Sequence, residues 1–132
     1  MTTFQIVAFY VALSLIFNPL LMLRIGLARQ KKRINLGDGG DPDMISRVRA
    51  HGNFSEVAPL MLIGLMTVAM MNGSPLMLHI FGAAYFIGRI IHFLGMRGTV
   101  GQGRLVGTLL TLLTFIGIGV YLFYLIFMHG PV

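Results

Sequence analysis

Four long apolar runs, separated by short polar segments, constrain this chain more than any other feature of its sequence. They occupy residues 4–23, 57–71, 76–96 and 105–128. A helix that crosses a bilayer needs about 20 consecutive, mostly apolar residues. Only 11 % of the 132 residues are charged, whereas a soluble domain has about 25 %. The excess of apolar side chains must therefore face lipid.

The predicted fold is an all-α membrane protein in which a single domain, residues 1–132, forms a four-transmembrane-helix bundle. A polar stretch before the second run extends that helix backwards, so the expected spans are about 4–28, 43–71, 76–96 and 104–128. Asp41-Pro42 marks the start of the second helix, because aspartate caps helix N-termini and proline fits the first helical position.

The charges are distributed asymmetrically along the chain. All 10 basic and all 4 acidic residues lie between Arg24 and Arg104. The loops after the first and third runs emerge on one side of the membrane, and with the adjoining helix ends they carry every lysine and arginine. Cytoplasmic loops are enriched in Lys and Arg, so we expect both loops in the cytoplasm and both termini outside it. The membrane would be the inner one if the chain is bacterial.

The composition also limits partners and chemistry. A net charge of +6 would suggest nucleic acid in a soluble protein, but here membrane topology explains it, and we predict no nucleic-acid partner. Without cysteine the chain has no thiolate nucleophile or Cys-based metal site, so any thiol must come from outside. The segment "DGGDPD", residues 38–43, could offer carboxylates to calcium, but it lacks EF-hand spacing. We predict no metal.

A polar stripe opens the second helix. Arg49, Asn53 and Glu56 follow one another at i, i+4 and i+7, which places them on one helix face, while Arg47 points elsewhere. The three residues could satisfy one another and pin this helix to its neighbours. Alternatively they could form a pocket for a polar ligand, because ionisable groups within a span are costly and tend to mark function.

A second cluster lies at a similar depth. Arg89 and His92 share one face of the third helix, and Arg104 opens the fourth. Three helices thus bring several arginines to the level of Glu56, which cannot neutralise them all. The surplus positive charge favours an anionic ligand or a lipid phosphate.

The pattern Arg49-Ala50-x-x-Asn53-x-x-Glu56-x-x-Pro59 resembles the signature of the MAPEG superfamily, the membrane-associated proteins in eicosanoid and glutathione metabolism. The resemblance extends over the whole chain, through four spans, a basic first loop, the pair on the third helix and the arginine that opens the fourth. The chain looks like a short bacterial-type member.

The resemblance implies a homotrimer that binds glutathione between neighbouring subunits and takes a lipophilic substrate from the bilayer, with membrane lipids around it. It implies a catalytic role for Arg104, which would hold the glutathione thiolate. It also implies a glutathione-dependent transferase or peroxidase acting on lipophilic electrophiles or lipid hydroperoxides. The residues that it implies for glutathione binding are Arg29, Arg49, Asn53, Glu56, Arg89 and His92.

Three positions depart from the pattern of many catalytic members. Ser46 stands where they have an arginine, and Met96 and Thr108 stand where they have tyrosines. The absence of this arginine and of these tyrosines argues against prostaglandin or leukotriene synthesis. It leaves open the alternative of a non-catalytic relative that binds lipid or protein in the same groove. A four-helix drug exporter is a third hypothesis, but the first span lacks the acidic residue that such exporters use.

Overall fold

The computed structural model describes residues 1–129 and shows four long helices, which confirms the all-α prediction. They are α1 (Thr3–Lys32), α2 (Pro42–Met70), α3 (Pro75–Met96) and α4 (Gly103–His129). Each of the four is long and apolar enough to cross a membrane. They pack as a four-helix bundle in which α1 contacts α2 and α3, while α1 and α4 do not touch within the described residues.

Helix α1 continues past residue 28, where the predicted span ends. Its last turn holds Arg29, Lys31 and Lys32, and basic side chains there complement the negative end of the helix dipole. The helix stops at Arg33, whose left-handed backbone (φ 54°) brings its N–H to the last carbonyls. The basic residues of the first loop therefore begin as a helical extension rather than as loop.

Helix α2 begins as its sequence predicts. The Asp41 side chain accepts the N–H of Met44 at 2.9 Å and Pro42 is the first helical residue. Lys32 donates to both Asp41 oxygens at 2.6 and 2.7 Å. The end of α1 is therefore tied directly to the start of α2.

Helices α3 and α4 approach so closely that their backbones touch. A Cβ added at Gly95 would lie 2.1 Å from the backbone nitrogen of Arg104, and one added at Gly107 would lie 2.5 Å from the Gly88 carbonyl oxygen. No real Cβ tolerates such distances, so only glycine permits this seam. Close approach of this kind drives helix association in membranes, where apolar burial from water is not available.

An aromatic cluster joins α1 to α2 and α3 in the bundle interior. The Phe17 ring lies 5.2, 5.8 and 5.7 Å from the rings of Phe54, Phe86 and Phe93, each in an edge-to-face arrangement. Such pairs stabilise packing beyond the area they bury. The outward faces of α1 and α4 are apolar and exposed, as lipid contact requires.

The two ends of the bundle differ in polarity. At one end α1 and α3 finish and α2 and α4 begin, and we call this the charged end because every ion pair of the described residues lies there. At the other end polar contacts are between neutral groups, such as the Tyr10 hydroxyl, 3.2 Å from a His79 ring nitrogen.

Candidate functional site

A cavity of ≈ 550 Å³ opens at the charged end between the starts of α2 and α4 and the end of α3, and we call it the α2–α4 cavity. Arg49 and Asn53 reach it from α2, His92 from α3 and Arg104 from α4. No aspartate or glutamate lines it, and neither arginine side chain forms an ion pair within residues 1–129. Its walls therefore present positive charge without compensation.

Arg89 lies behind this cavity rather than in its lining. Only 3 % of the residue is exposed. Its guanidinium donates to the Asn53 side-chain oxygen at 2.5 Å and to the Gly107 carbonyl at 3.2 Å, while its Nε has no partner within residues 1–129. One cation thus links three helices and orients the Asn53 amide without lining the cavity itself.

His92 and Arg104 line the α2–α4 cavity from the two sides of the α3–α4 seam. His92 is buried, at 5 % exposure, whereas Arg104 is exposed at the start of its helix. Thr108, one turn further along α4, also lines the cavity but donates its hydroxyl to the Arg104 carbonyl at 2.8 Å. The free donors of this wall are therefore the guanidinium of Arg104 and the imidazole of His92.

Besides Arg89, two further residues implied by the family resemblance lie outside the cavity of this chain. Arg29 donates to the Gly37 carbonyl at 3.0 and 3.2 Å, on the far side of the charged end. Glu56 is exposed on α2 and has no hydrogen bond or ion pair within residues 1–129. The alternative in which Arg49 and Glu56 satisfy each other is therefore not what the subunit shows.

Two carboxylates next to the first loop, those of Asp41 and Asp43, are engaged by basic side chains. The hydrogen bond from Lys32, with a second from the Met44 N–H, holds the pKa of Asp41 below its ordinary value. Asp43 accepts the Nε of Arg47 with both oxygens, at 3.0 Å each. Asp41 and Asp43 therefore have basic partners within the chain. Arg47 pairs with a residue one turn earlier on its own helix.

A second cavity, of ≈ 490 Å³, lies between α1, α2 and α3 at the same end, and we call it the α1–α3 cavity. Arg24, Arg47 and Arg97 line it around the ring of Phe93. The sequence analysis did not identify Arg24 and Arg97 as site residues. The available signal was that both are basic residues at the ends of spans on the same membrane side.

The two cavities share one thin wall. Ser46 and Met96 line both, and the Ser46 hydroxyl donates to the Met96 carbonyl across the wall. This carbonyl lies in the last turn of α3, so it has no hydrogen-bond partner within its own helix. Two of the positions that depart from the pattern of catalytic relatives thus contact each other.

Comparison with known proteins supports the same family. The sequence model of the MAPEG family matches residues 7–124. The chain is 28 % identical over 97 residues to the inner membrane protein YecN of Escherichia coli strain K12, covering 70 % of this chain and 74 % of YecN. The YecN of Escherichia coli O6:H1 strain CFT073 matches equally well, with the same identity and coverage. No solved structure matches the chain. A match over so much of its length, on a bundle of four membrane-spanning helices, shows that this multi-pass membrane protein belongs to the MAPEG family.

Proposed function

We propose that the protein binds glutathione in the α2–α4 cavity and is a glutathione-dependent membrane transferase or peroxidase. Its substrates would be lipophilic electrophiles or lipid hydroperoxides that reach the sulfur from the bilayer. The observation that carries the proposal is the convergence of Arg49, Arg104, Asn53 and His92 on one cavity that no carboxylate lines.

The chemistry of glutathione suits this lining. At neutral pH the molecule carries two carboxylates, one ammonium and one thiol. Guanidinium groups bind carboxylates through paired, charge-assisted hydrogen bonds, which suits Arg49, and the amide of Asn53 can bond the peptide groups. The cavity, at ≈ 550 Å³, lies within the range of about 300–1,000 Å³ typical of small-molecule sites.

Arg104 is the residue we assign to the chemistry. A free thiol has a pKa of about 8.5, and nearby cations lower it. Each unit of lowering requires about 1.4 kcal/mol of preference for the thiolate, and charge-assisted bonds of about 1.5–3 kcal/mol can supply it. The thiolate would then attack the electrophilic carbon and displace its leaving group. With a hydroperoxide it would attack the terminal oxygen and break the O–O bond, which gives an alcohol and glutathione sulfenic acid, and a second glutathione would reduce the sulfenic acid to the disulfide and water.

The proposal includes a homotrimer. In one subunit Arg104, which lines the α2–α4 cavity, is exposed, so the cavity opens to the outside of the bundle at this side. Arg29 and Glu56 lie elsewhere on the subunit surface, and Glu56 has no partner there. A charged residue exposed to lipid is costly. A neighbouring subunit would cover the opening, place its Arg29 at the cavity and leave Glu56 to bind the ammonium group.

We also propose that the protein lies in the inner membrane with the charged end in the cytoplasm. The position of all basic residues on one side supports this orientation, and the name of YecN supports the compartment. The cytoplasm is the reducing compartment, where thiols remain free. Glutathione would thus enter from the side on which the cavity opens.

One observation favours a second candidate function, a non-catalytic relative that binds lipid or protein. Met96 cannot donate a hydrogen bond to sulfur, and the hydroxyl of Thr108 is already bonded to the Arg104 carbonyl. The thiolate would therefore depend on Arg104 and His92, without a hydroxyl donor at positions 96 and 108. A protein that binds glutathione but never ionises its thiol would belong to this second class.

Titration of glutathione into the purified protein, in detergent or in nanodiscs, tests the proposal. We expect saturable binding that Arg49→Ala weakens about tenfold or more, because a charge-assisted bond contributes about 1.5–3 kcal/mol. Arg33→Gln removes one positive charge from the exposed cap of α1 and serves as the control with unchanged affinity. Absence of binding, or equal affinity in all three proteins, would refute the proposal.

A further inference from the structure

We propose that the α1–α3 cavity is a binding site for the phosphate headgroup of an anionic phospholipid, since three arginines line it, two of them against one aromatic ring, beside an apolar face of α1. The inference does not depend on the glutathione proposal, because it uses a different cavity and different arginines.

The charge of this cavity is not balanced. Its lining holds Arg24, Arg47 and Arg97 against one carboxylate, Asp43. Asp43 already accepts both bonds from Arg47 and lies 3.3 Å from the Lys32 ammonium. Two positive charges therefore remain in surplus, so the cavity attracts an anion.

The two surplus cations both lie against the ring of Phe93. The Arg24 guanidinium carbon lies 4.6 Å from the centre of the Phe93 ring, and that of Arg97 lies 5.8 Å from the same ring. Neither guanidinium has a hydrogen-bond or ion-pair partner within residues 1–129. Stacking on the ring orients these planar groups but leaves their N–H donors free. A phosphate between them would accept these donors and relieve their mutual repulsion.

Features beside the arginines select a lipid over a free phosphate. Phe93 contacts Phe17, so the interior side of the cavity is aromatic. On α1, Leu20 and Leu27 lie four residues before and three residues after Arg24, which places all three on one face. Both leucines are more than half exposed, at 53 % and 57 %. A headgroup at Arg24 would therefore continue into acyl chains that lie along an apolar helix surface.

The depth of the cavity agrees with this ligand. Arg24 lies two turns before the end of α1 and Arg97 caps α3, so both lie at the level where a span leaves the hydrocarbon. Basic pockets between helices at this level bind anionic headgroups. Zwitterionic lipids such as phosphatidylcholine carry an ammonium group beside the phosphate, which the surplus arginines would repel.

Native mass spectrometry of the full-length protein, titrated with phosphatidylglycerol or phosphatidylcholine, tests the inference. We expect phosphatidylglycerol to bind more tightly, and Arg24→Gln and Arg97→Gln each to weaken it about tenfold, as loss of a charge-assisted bond predicts. Arg33→Gln changes the net charge equally outside the cavity and should change the affinity less than about twofold. Arg24→Lys should retain part of the affinity, because it keeps the charge but loses the planar fork.

The remaining outcomes distinguish a lipid phosphate from a soluble phosphate, and they distinguish this proposal from the glutathione proposal. Equal binding of both lipids, or unchanged affinity in both glutamine variants, would overturn the site. Inorganic phosphate that displaces phosphatidylglycerol at equal concentration would instead identify a soluble phosphate site and overturn the lipid assignment. Glutathione titrated into the same samples reports on the other cavity. Lipid selectivity without glutathione binding would therefore remove only the proposed function.

Discussion

The two cavities at the charged end are similar in size and differ in what surrounds their arginines. Each lies between three helices, and they share the wall formed by Ser46 and Met96. In the α2–α4 cavity the neighbours of the arginines are an amide, an imidazole and a hydroxyl. In the α1–α3 cavity the neighbours are the Phe93 ring and the Asp43 carboxylate.

This difference shows that positive charge alone does not specify a ligand. A wall of neutral hydrogen-bonding groups suits a polar molecule with several amides and carboxylates. An aromatic wall beside an apolar helix face suits an amphipathic anion that has a single charged group. The comparison predicts that substitutions on one side of the shared wall should leave the other side intact, whereas a change in the wall itself should affect both. Four experiments probe the ligands and the stability of the charged end, from the largest expected effect to the smallest.

Arg104→Ala should have the largest effect. Losing about 2–3 kcal/mol of thiolate stabilisation raises the pKa of the bound thiol by roughly two units. Turnover near neutral pH should then fall about a hundredfold and recover partly at alkaline pH, while affinity for glutathione falls only modestly. Ultraviolet absorbance of the thiolate against pH, beside a conjugation assay, measures both quantities.

Arg104→Lys is the matched control for this change. It should retain part of the activity because the charge survives although the fork geometry does not. Phosphatidylglycerol binding at the α1–α3 cavity should be unchanged in both variants. An Arg104→Ala protein whose thiolate titration and turnover equal those of the parent would remove Arg104 from the chemistry.

Asn53→Leu should destabilise the bundle on the α2–α4 side. The variant removes the acceptor of the buried Arg89 guanidinium, and an unsatisfied buried donor costs about 1–3 kcal/mol. Thermal unfolding in detergent should show a clearly lower midpoint. Asn18→Leu makes the same change at a residue whose side chain, within residues 1–129, has one bond, a long one of 3.4 Å from the Ser55 hydroxyl, so its midpoint should move less. Equal midpoints for the two variants would contradict a structural role of Asn53.

Ser46→Ala acts on the shared wall. It removes the bond to the Met96 carbonyl, and a neutral hydrogen bond contributes about 1 kcal/mol. Affinities for glutathione and for phosphatidylglycerol should both decrease slightly, because each cavity loses part of one wall. Ser55→Ala, whose hydroxyl makes only bonds of 3.3 and 3.4 Å, should change neither. If Ser46→Ala altered only one ligand, the wall would not be shared in function.

The smallest expected effect is the part of the pH dependence of stability that comes from the titration of Asp41. Its pKa is lowered by Lys32 in the folded protein, so its contribution to stability is present above the ordinary carboxyl pKa. That contribution is lost as the pH falls through the lowered value. Asp41→Asn keeps a helix cap but removes this titration, so its unfolding midpoint should decline less in acid than that of the parent. If the unfolding midpoints of the two proteins declined equally in acid, the ion pair would not stabilise the fold.

The fold could be predicted from the sequence because hydrophobicity in a membrane is a strong signal. Four apolar runs and short connections leave a four-helix bundle as the natural arrangement, and the cap at Asp41 follows from local chemistry alone. The end of α1 was harder to predict, because Lys31 and Lys32 resemble a loop by composition but are stabilised as the last helical turn.

The site could be predicted only in part. Helical spacing placed Arg49 and Asn53 on one face of α2, and the structure puts both at the α2–α4 cavity with His92 and Arg104. Spacing could not reveal that Arg89 lies behind Asn53 rather than beside it, because that depends on how the helices rotate against each other. Arg24 and Arg97 were missed for a similar reason, because their common neighbour, Phe93, becomes visible only when α1 and α3 are packed together.

The glycine seam between α3 and α4 has a consequence for motion. Because backbone meets backbone at Gly95 and Gly107, the two helices cannot slide or turn against each other without atomic collision. The backbone segments that carry His92 and Arg104 are therefore held close to each other. Helix α1 has no contact with α4 within residues 1–129, and α2 is joined to this pair through bonds such as that between Arg89 and Asn53. We therefore expect any change of shape at the charged end to alter α1 and the start of α2 before it alters the spacing of α3 and α4.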